Sequence, residues 1–261
     1  MKKLTLALAL ASGVITPLTT RAQFAESVVS YNPGTGFATG YTNTTAALGA
    51  PTLGNGVSPF DPPYSQNQLV SIGAGGEITL QMSTPILNNP SDPFGINFIV
   101  FGNEFFAQNT NGNVSSLYYH AASTLVQVSS DGVTWYTLNP SLAPQAGQLF
   151  PTDGSGNPQL AVNPSLTAAS FTGLSLAGIE SLYAGSAGGT GYDLAWAQDA
   201  QSNAVNVVKA DYVRIEVQSG VLDLDAVSAV PEPATWALSA LGAISFGLIR
   251  RSMRARKSAA R

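Results

Sequence analysis

The chain has no cysteine and one histidine, His120. Without cysteine there are no disulfides, no thiol nucleophile and no cysteine-built zinc site; a Ser-His-Asp triad or a histidine-bound metal would have to use His120. No serine sits in a Gly-x-Ser-x-Gly elbow. Basic residues are almost as scarce. Between Gln23 and Val230 only Lys209 and Arg214 face 14 acids, which are all of the chain's 15 less Glu232, so this stretch carries a net −12. Phosphate recognition needs clustered Lys and Arg, so no nucleic-acid partner is expected. The glycine clusters Gly73 to Gly76 and Gly185 to Gly191 lack the lysine of a P-loop and open no helix. They read as loops.

The remaining cations lie at the ends. Met1-Lys2-Lys3 precedes the apolar LTLALALASGVIT and then Thr20-Arg21-Ala22. That order predicts a secretory signal peptide cleaved after Ala22, with the Sec translocon and signal peptidase as transit partners. At the other end, Pro231-Glu232-Pro233 is followed by the apolar run Ala234 to Ile249 and by Arg250, Arg251, Arg254, Arg256 and Lys257. As a helix the run spans roughly 24 Å at about 1.5 Å per residue. Trp236 and the arginines extend it toward the thickness of a bilayer, with the cationic end in the cytoplasm. A transmembrane helix over 234–249 is expected.

Motif, span and basic terminus in that order resemble the sorting signal of PEP-CTERM proteins of exopolysaccharide-producing Gram-negative bacteria. The resemblance implies that residues 231–261 are held in the inner membrane and removed by an exosortase-type protease near Pro231, Glu232 and Pro233. The body would then go to the cell surface or extracellular matrix. A permanent C-terminal anchor is the alternative. Two prolines fix an extended backbone there that a protease can bind.

Residues 23–230 are expected to form one exported domain, long enough to bury a core without disulfides. Up to about Ser71, Gly, Pro, Asn and Ser punctuate the chain too often for long helices, and Thr44 to Leu48 predicts a single helical turn. Strand patterns follow. Ile78, Leu80 and Met82 alternate with Glu77, Thr79 and Gln81, and Phe98 to Phe101 is an unbroken apolar run suited to a strand covered on both faces. Leu125 to Val128 and Val133 to Leu138 flank Ser130-Asp131-Gly132, a hairpin signal, with Trp135 expected in the core beneath it. Asn139 to Thr167 reads as a surface insertion, Leu174 to Leu182 as a short helix and Gly185 to Gly191 as a mobile loop. Val213, Ile215 and Val217, then Leu222, Leu224 and Ala226, predict a closing hairpin around Ser219-Gly220.

Short strands with little helix and no βαβ alternation predict an all-β, antiparallel β-sandwich, in particular a jelly roll. "VQVSSDGVTWYTL", "ADYVRIEV" and "VLDLDAVSAV" resemble discoidin-like or galactose-binding-like modules over roughly residues 68 to 230. That resemblance implies ligand loops at one end of the sandwich and, in many members, a structural calcium.

Two sets of candidate residues follow. Asn103, Glu104, Asp193, Asp223 and Asp225 offer hard oxygen ligands for calcium, with solvated, unconnected acids as the alternative. Tyr118, Tyr119, Tyr192 and Trp196 lie on polar or glycine-rich loops, where flat rings can cover sugar faces, with core packing as the alternative. No catalytic residue is expected. The leading expectation is a non-catalytic module that associates with carbohydrate or exopolysaccharide. A structural surface or matrix protein without a discrete ligand, and a glycoside hydrolase using a carboxylate pair, are the alternatives.

Overall fold

A computed structural model describes residues 23–54 and 56–231. The expected signal peptide at 1–22, Glu232, Pro233, the apolar run 234–249 and the arginine tail lie outside the described residues. Among the described residues there are eleven strands: β1 (Ala25–Asn32), β2 (Val70–Gly73), β3 (Gly76–Leu87), β4 (Phe98–Gly102), β5 (Phe105–Gln108), β6 (Val114–Tyr118), β7 (Ala122–Ser129), β8 (Tyr136–Leu138), β9 (Thr190–Tyr192), β10 (Ala197–Gln198) and β11 (Lys209–Ala229). Two short helices, α1 (Ala168–Phe171) and α2 (Leu176–Tyr183), precede β9. Among the described residues no helix is long and apolar enough to cross a membrane.

The predicted closing hairpin is absent. Residues 209 to 229 form one strand, and its two halves serve different leaves of the fold. Lys209 to Val217 pairs with β3 on one side and β7 on the other, continuing the order β1-β3-β11-β7-β8-β10. Val221 to Ala229 pairs with β2 and β4, and β4 pairs with β9. Every one of these pairings is antiparallel. The glycine cluster Gly73 to Gly76, expected as a loop, is also a corner and not a reversal. Val70 to Gly73 runs opposite Leu224 to Val221, and after the bend Gly76 to Leu87 runs opposite Val217 to Lys209. A bent two-stranded ribbon thus passes from one leaf to the other.

Glycine makes both corners. Gly220 has φ 78°, and a Cβ there would lie 1.8 Å from the Ala121 carbonyl oxygen. At Gly73 a Cβ would meet the Thr35 carbonyl oxygen at 2.1 Å, because Thr35 and Ala74 exchange backbone hydrogen bonds across the corner. A strand pattern interrupted by glycine looks the same in sequence whether the chain reverses or only bends.

The leaves share one apolar core. Ile78, Leu80, Val126, Val128, Val213 and Ile215 from the first pack with Val70, Ile72, Phe98, Val100, Leu224 and Val227 from the second. Each such side chain contributes about 1.5–3 kcal/mol on burial, so this interior substitutes for the missing disulfides. As expected, Phe98 to Phe101 is fully buried: Phe98 and Val100 face the shared core, while Ile99 and Phe101 face a second cluster with Ile96, Ala161 and Ala187.

Asn139 to Thr167 is therefore not a surface insertion. Phe150, Thr152, Ala161 and Val162 are buried, and this segment with α1, α2 and the β5–β6 hairpin encloses a third apolar cluster. Nor do the glycines from 185 to 191 form a detached loop, since Gly189 N donates to Phe150 O and the chain enters β9.

The β7–β8 hairpin forms as expected, with β8 shorter than the pattern suggests. Asp131 closes its loop by accepting from the backbone N–H groups of Val133 (2.8 Å) and Thr134 (2.7 Å) and from Ser129 Oγ (3.0 Å). Trp135 is half-buried outside the core, with the Arg214 guanidinium 3.9 Å above its ring. On a two-leaf fold the outer face can hold a large ring by cation–π contact instead.

Candidate functional site: a tyrosine–histidine loop over buried acids

The β6–β7 connection carries Tyr118, Tyr119 and His120 in succession, and all three are exposed. Tyr118 ends β6 and stacks on Phe105 of β5, with ring centroids 5.4 Å apart. The stack holds one ring in place while leaving it 59% exposed. Immediately afterwards the chain enters β7, whose Ala122 pairs with Gly220 at the corner of β11. This docks the loop against the second half of that strand.

His120 Nδ1 stands 2.9 Å from Asp223 Oδ2. The same oxygen accepts from Asn103 Nδ2 at 3.2 Å, so a buried carboxylate fixes both the exposed imidazole and the amide. The other oxygen, Asp223 Oδ1, is buried without a hydrogen-bond partner.

Behind this layer lie two more acids. Asp225 occupies a bulge where β11 slips against β4, between the pairs Leu224–Gly102 and Ala226–Phe101. The extra residue turns its carboxyl toward Thr52, which donates from its backbone N (2.8 Å) and its Oγ1 (3.0 Å). Burial raises the Asp225 pKa to about 7, with the Thr52 hydrogen bonds opposing. Glu104 is 1% exposed, folds back over Gly102, and has no geometrically sound hydrogen bond to either carboxyl oxygen. Burial raises its pKa to about 8; its own backbone N–H offsets this in part and the Asp225 charge adds to it. The neutral carboxyl is the favoured form at pH 7.

The expected calcium ligands thus divide. Asn103 and Asp223 are bonded, Glu104 and Asp225 interact, and Asp193 lies on another loop, where its Oδ1 accepts from Ala195 N at 2.7 Å. The orphaned oxygens of Glu104 and Asp223 suit a hard cation. Among the described residues, however, no three of His, Asp and Glu converge as a metal-binding group. Any shell would draw mainly on backbone carbonyls, the Asn103 amide and water.

The expected ring platform divides as well. Tyr118 and Tyr119 are exposed on one loop, but Tyr192 is buried in the core, stacked on Phe98 at 5.1 Å with its hydroxyl donating to Pro144 O. It falls on the inward face of β9, which a glycine-flanked sequence does not reveal. Trp196 is half-buried between the first two apolar clusters. Asp223 and Asp225 are not solvated strand residues either, because the second leaf is covered on both faces.

Two participants carried little sequence signal as members of this site: His120 and Thr52, whose partners Asp223 and Asp225 come from a distant segment. A separate acidic pair, Glu77 opposite Glu216, lines an open groove of about 470 Å³ with Asn32 and Gln218.

The family model of the PEP-CTERM protein-sorting motif matches residues 229–252. No curated protein matches the chain. The motif begins within β11, whose last residue is Ala229, and continues into the apolar run.

Proposed function

With the sorting motif as premise, we propose that this is an exported protein, processed by an exosortase-type system, whose body is a non-catalytic polysaccharide-associating module at the cell surface or in the matrix. The motif implies export, membrane transit and an exosortase-type partner. The ligand assignment rests on one observation: Tyr118, Tyr119 and His120 form an exposed edge whose imidazole is held by Asp223. Ring faces cover the apolar faces of sugars, and a fixed imidazole and amide can hydrogen-bond hydroxyls. The resemblance of the hairpin and closing strand to discoidin-like modules supports a ligand loop at a sandwich end. Calcium belongs to this proposal as the ion that would satisfy Glu104 and Asp223.

The test is retention of residues 23–230 by the producer's exopolysaccharide, with and without calcium. Saturable retention that falls on Tyr118→Ala and Tyr119→Ala is expected. Retention unchanged by both would remove this edge, and no retention by the parent would favour a structural surface protein.

The Glu77–Glu216 pair favours a second reading, glycoside hydrolysis. It requires product release that Glu216→Gln abolishes.

A further inference from the structure

The two membrane-directed segments join the body at one place. At the front, Gln23 O accepts from Ala229 N at 2.7 Å, and Phe24 bridges to Ser228. At the back, Val230 is buried and its N–H donates to Asn97 O at 2.8 Å. The residue before Gln23 ends the predicted leader, and the residue after Val230 opens the Pro-Glu-Pro motif. Both exits therefore flank the final residues of β11.

No linker separates this end from the apolar run. Only Pro231, Glu232 and Pro233 lie between Val230 and Ala234. Even fully extended, those steps reach roughly 14 Å at about 3.3–3.6 Å per residue. If the run enters the bilayer, the end of the sandwich holding Val230 has to lie at or near the headgroups, since the layer outside the hydrocarbon is only about 5–8 Å thick on each side.

Three large apolar side chains, Phe94, Leu87 and Val208, are exposed on the segments that lead to that end. Phe94 is 56% exposed in the turn before β4, where its own φ of 61° and the 74° of Gly95 are left-handed. A bulky side chain rarely adopts that backbone. Val208 is 68% exposed, and Leu87 beside it is exposed as well. Hydrogen bonds tie these positions to the exit: Asn88 N donates to Val208 O, Asn97 Nδ2 to Asn89 O, and Val230 N to Asn97 O. Lys209, one of the body's two cations, follows Val208 and pairs with Asp211. Asp193 lies near Gly95 and is partly desolvated, with its pKa raised by burial.

We propose that this end of the sandwich is a membrane-resting surface, with Phe94, Leu87 and Val208 seated in the lipid interface while the sorting tail is attached. The proposal rests on the reading that the apolar run 234–249 enters the bilayer. The tyrosine–histidine edge then points away from the membrane: Asp223 precedes Val230 by about 23 Å of strand at roughly 3.3 Å per residue. The body is presented ligand edge outward before its tail is cut.

The absence of cysteine makes the test direct. Single cysteines at Phe94→Cys, Val208→Cys, Tyr119→Cys and Ala243→Cys in the full chain carry an environment-sensitive fluorophore. The labelled chains are reconstituted into vesicles of phosphatidylethanolamine and phosphatidylglycerol bearing nitroxide quenchers at the headgroup or deep in the acyl region. Expected is loss of emission to the headgroup quencher at 94 and 208, to the deep quencher at 243, and to neither at 119. Quenching at 243 with 94 and 208 open to aqueous iodide overturns the resting surface and leaves the anchor intact. No lipid quenching at 243 refutes the anchor, and the resting surface with it.

Discussion

His120 reaches Asp223 at 2.9 Å, and through that contact the chain's one histidine is tied to the strand that joins both leaves of the fold. The imidazole is exposed and the carboxylate is not. His120→Ala should therefore cost under about 1 kcal/mol of stability while weakening polysaccharide retention several-fold. Asp223→Ala also frees the Asn103 amide, so it should lower stability more than His120→Ala does. Chemical denaturation of both variants, alongside retention assays, checks the order.

Glu104 and Asp225 set an alkaline limit. Their folded pKa values, about 8 and about 7, lie above those of unfolded carboxyls. The unfolded chain therefore releases these protons first as pH rises, and stability present below about pH 4 is lost through pH 7 to 8. The loss should be on the order of a few kcal/mol for the coupled pair. Denaturant midpoints between pH 4 and 8.5 should fall, and Glu104→Gln should flatten the decline.

Asp131 acts in the opposite window. Hydrogen bonds from Thr134 N, Val133 N and Ser129 hold its pKa down at about 2, so its contribution is present above the usual carboxyl pKa and is lost as pH falls through about 2. Asp131→Ala should lower the melting temperature at pH 7 and narrow its gap to the parent at pH 2. Thermal melts at the two pH values decide this.

Gly220→Ala should be among the most damaging single-methyl changes in the body. It adds a Cβ 1.8 Å from a backbone oxygen and forces L-residue geometry at φ 78°. A loss of roughly 3 kcal/mol or more is expected. A melt indistinguishable from the parent would refute the corner as described.

Calcium should raise the melting temperature if it satisfies the orphaned oxygens of Glu104 and Asp223. A chelator should reverse the gain, and Asp223→Asn should reduce it. Identical melts with millimolar calcium and with chelator would remove the ion from the site.

Local pattern was enough for part of this protein. Ile78-Leu80-Met82 and Val213-Ile215-Val217 alternate with polar neighbours because one face of each strand is buried. Asp131-Gly132 closes a hairpin because a short carboxyl side chain and a glycine satisfy that turn locally. The Pro-Glu-Pro tail was legible for the same reason, since its order of motif, apolar run and cations is itself linear.

What the tertiary structure decided is where separated segments meet. Glycine at 73 and 220 permits a turn or a bend, and only the pairing of β11 with β3 and β7, then β2 and β4, selects the bend. Tyr192 and Tyr118 both sit near glycine or serine, yet one faces the core and the other solvent, because burial depends on which leaf covers the strand. Asp223 and Asp225 alternate with leucine and alanine as a half-exposed strand would, but a second layer lies over them. Composition and periodicity record what each segment prefers; proximity between His120, Asn103, Glu104 and the acids Asp223 and Asp225 of β11 arises only when the leaves close.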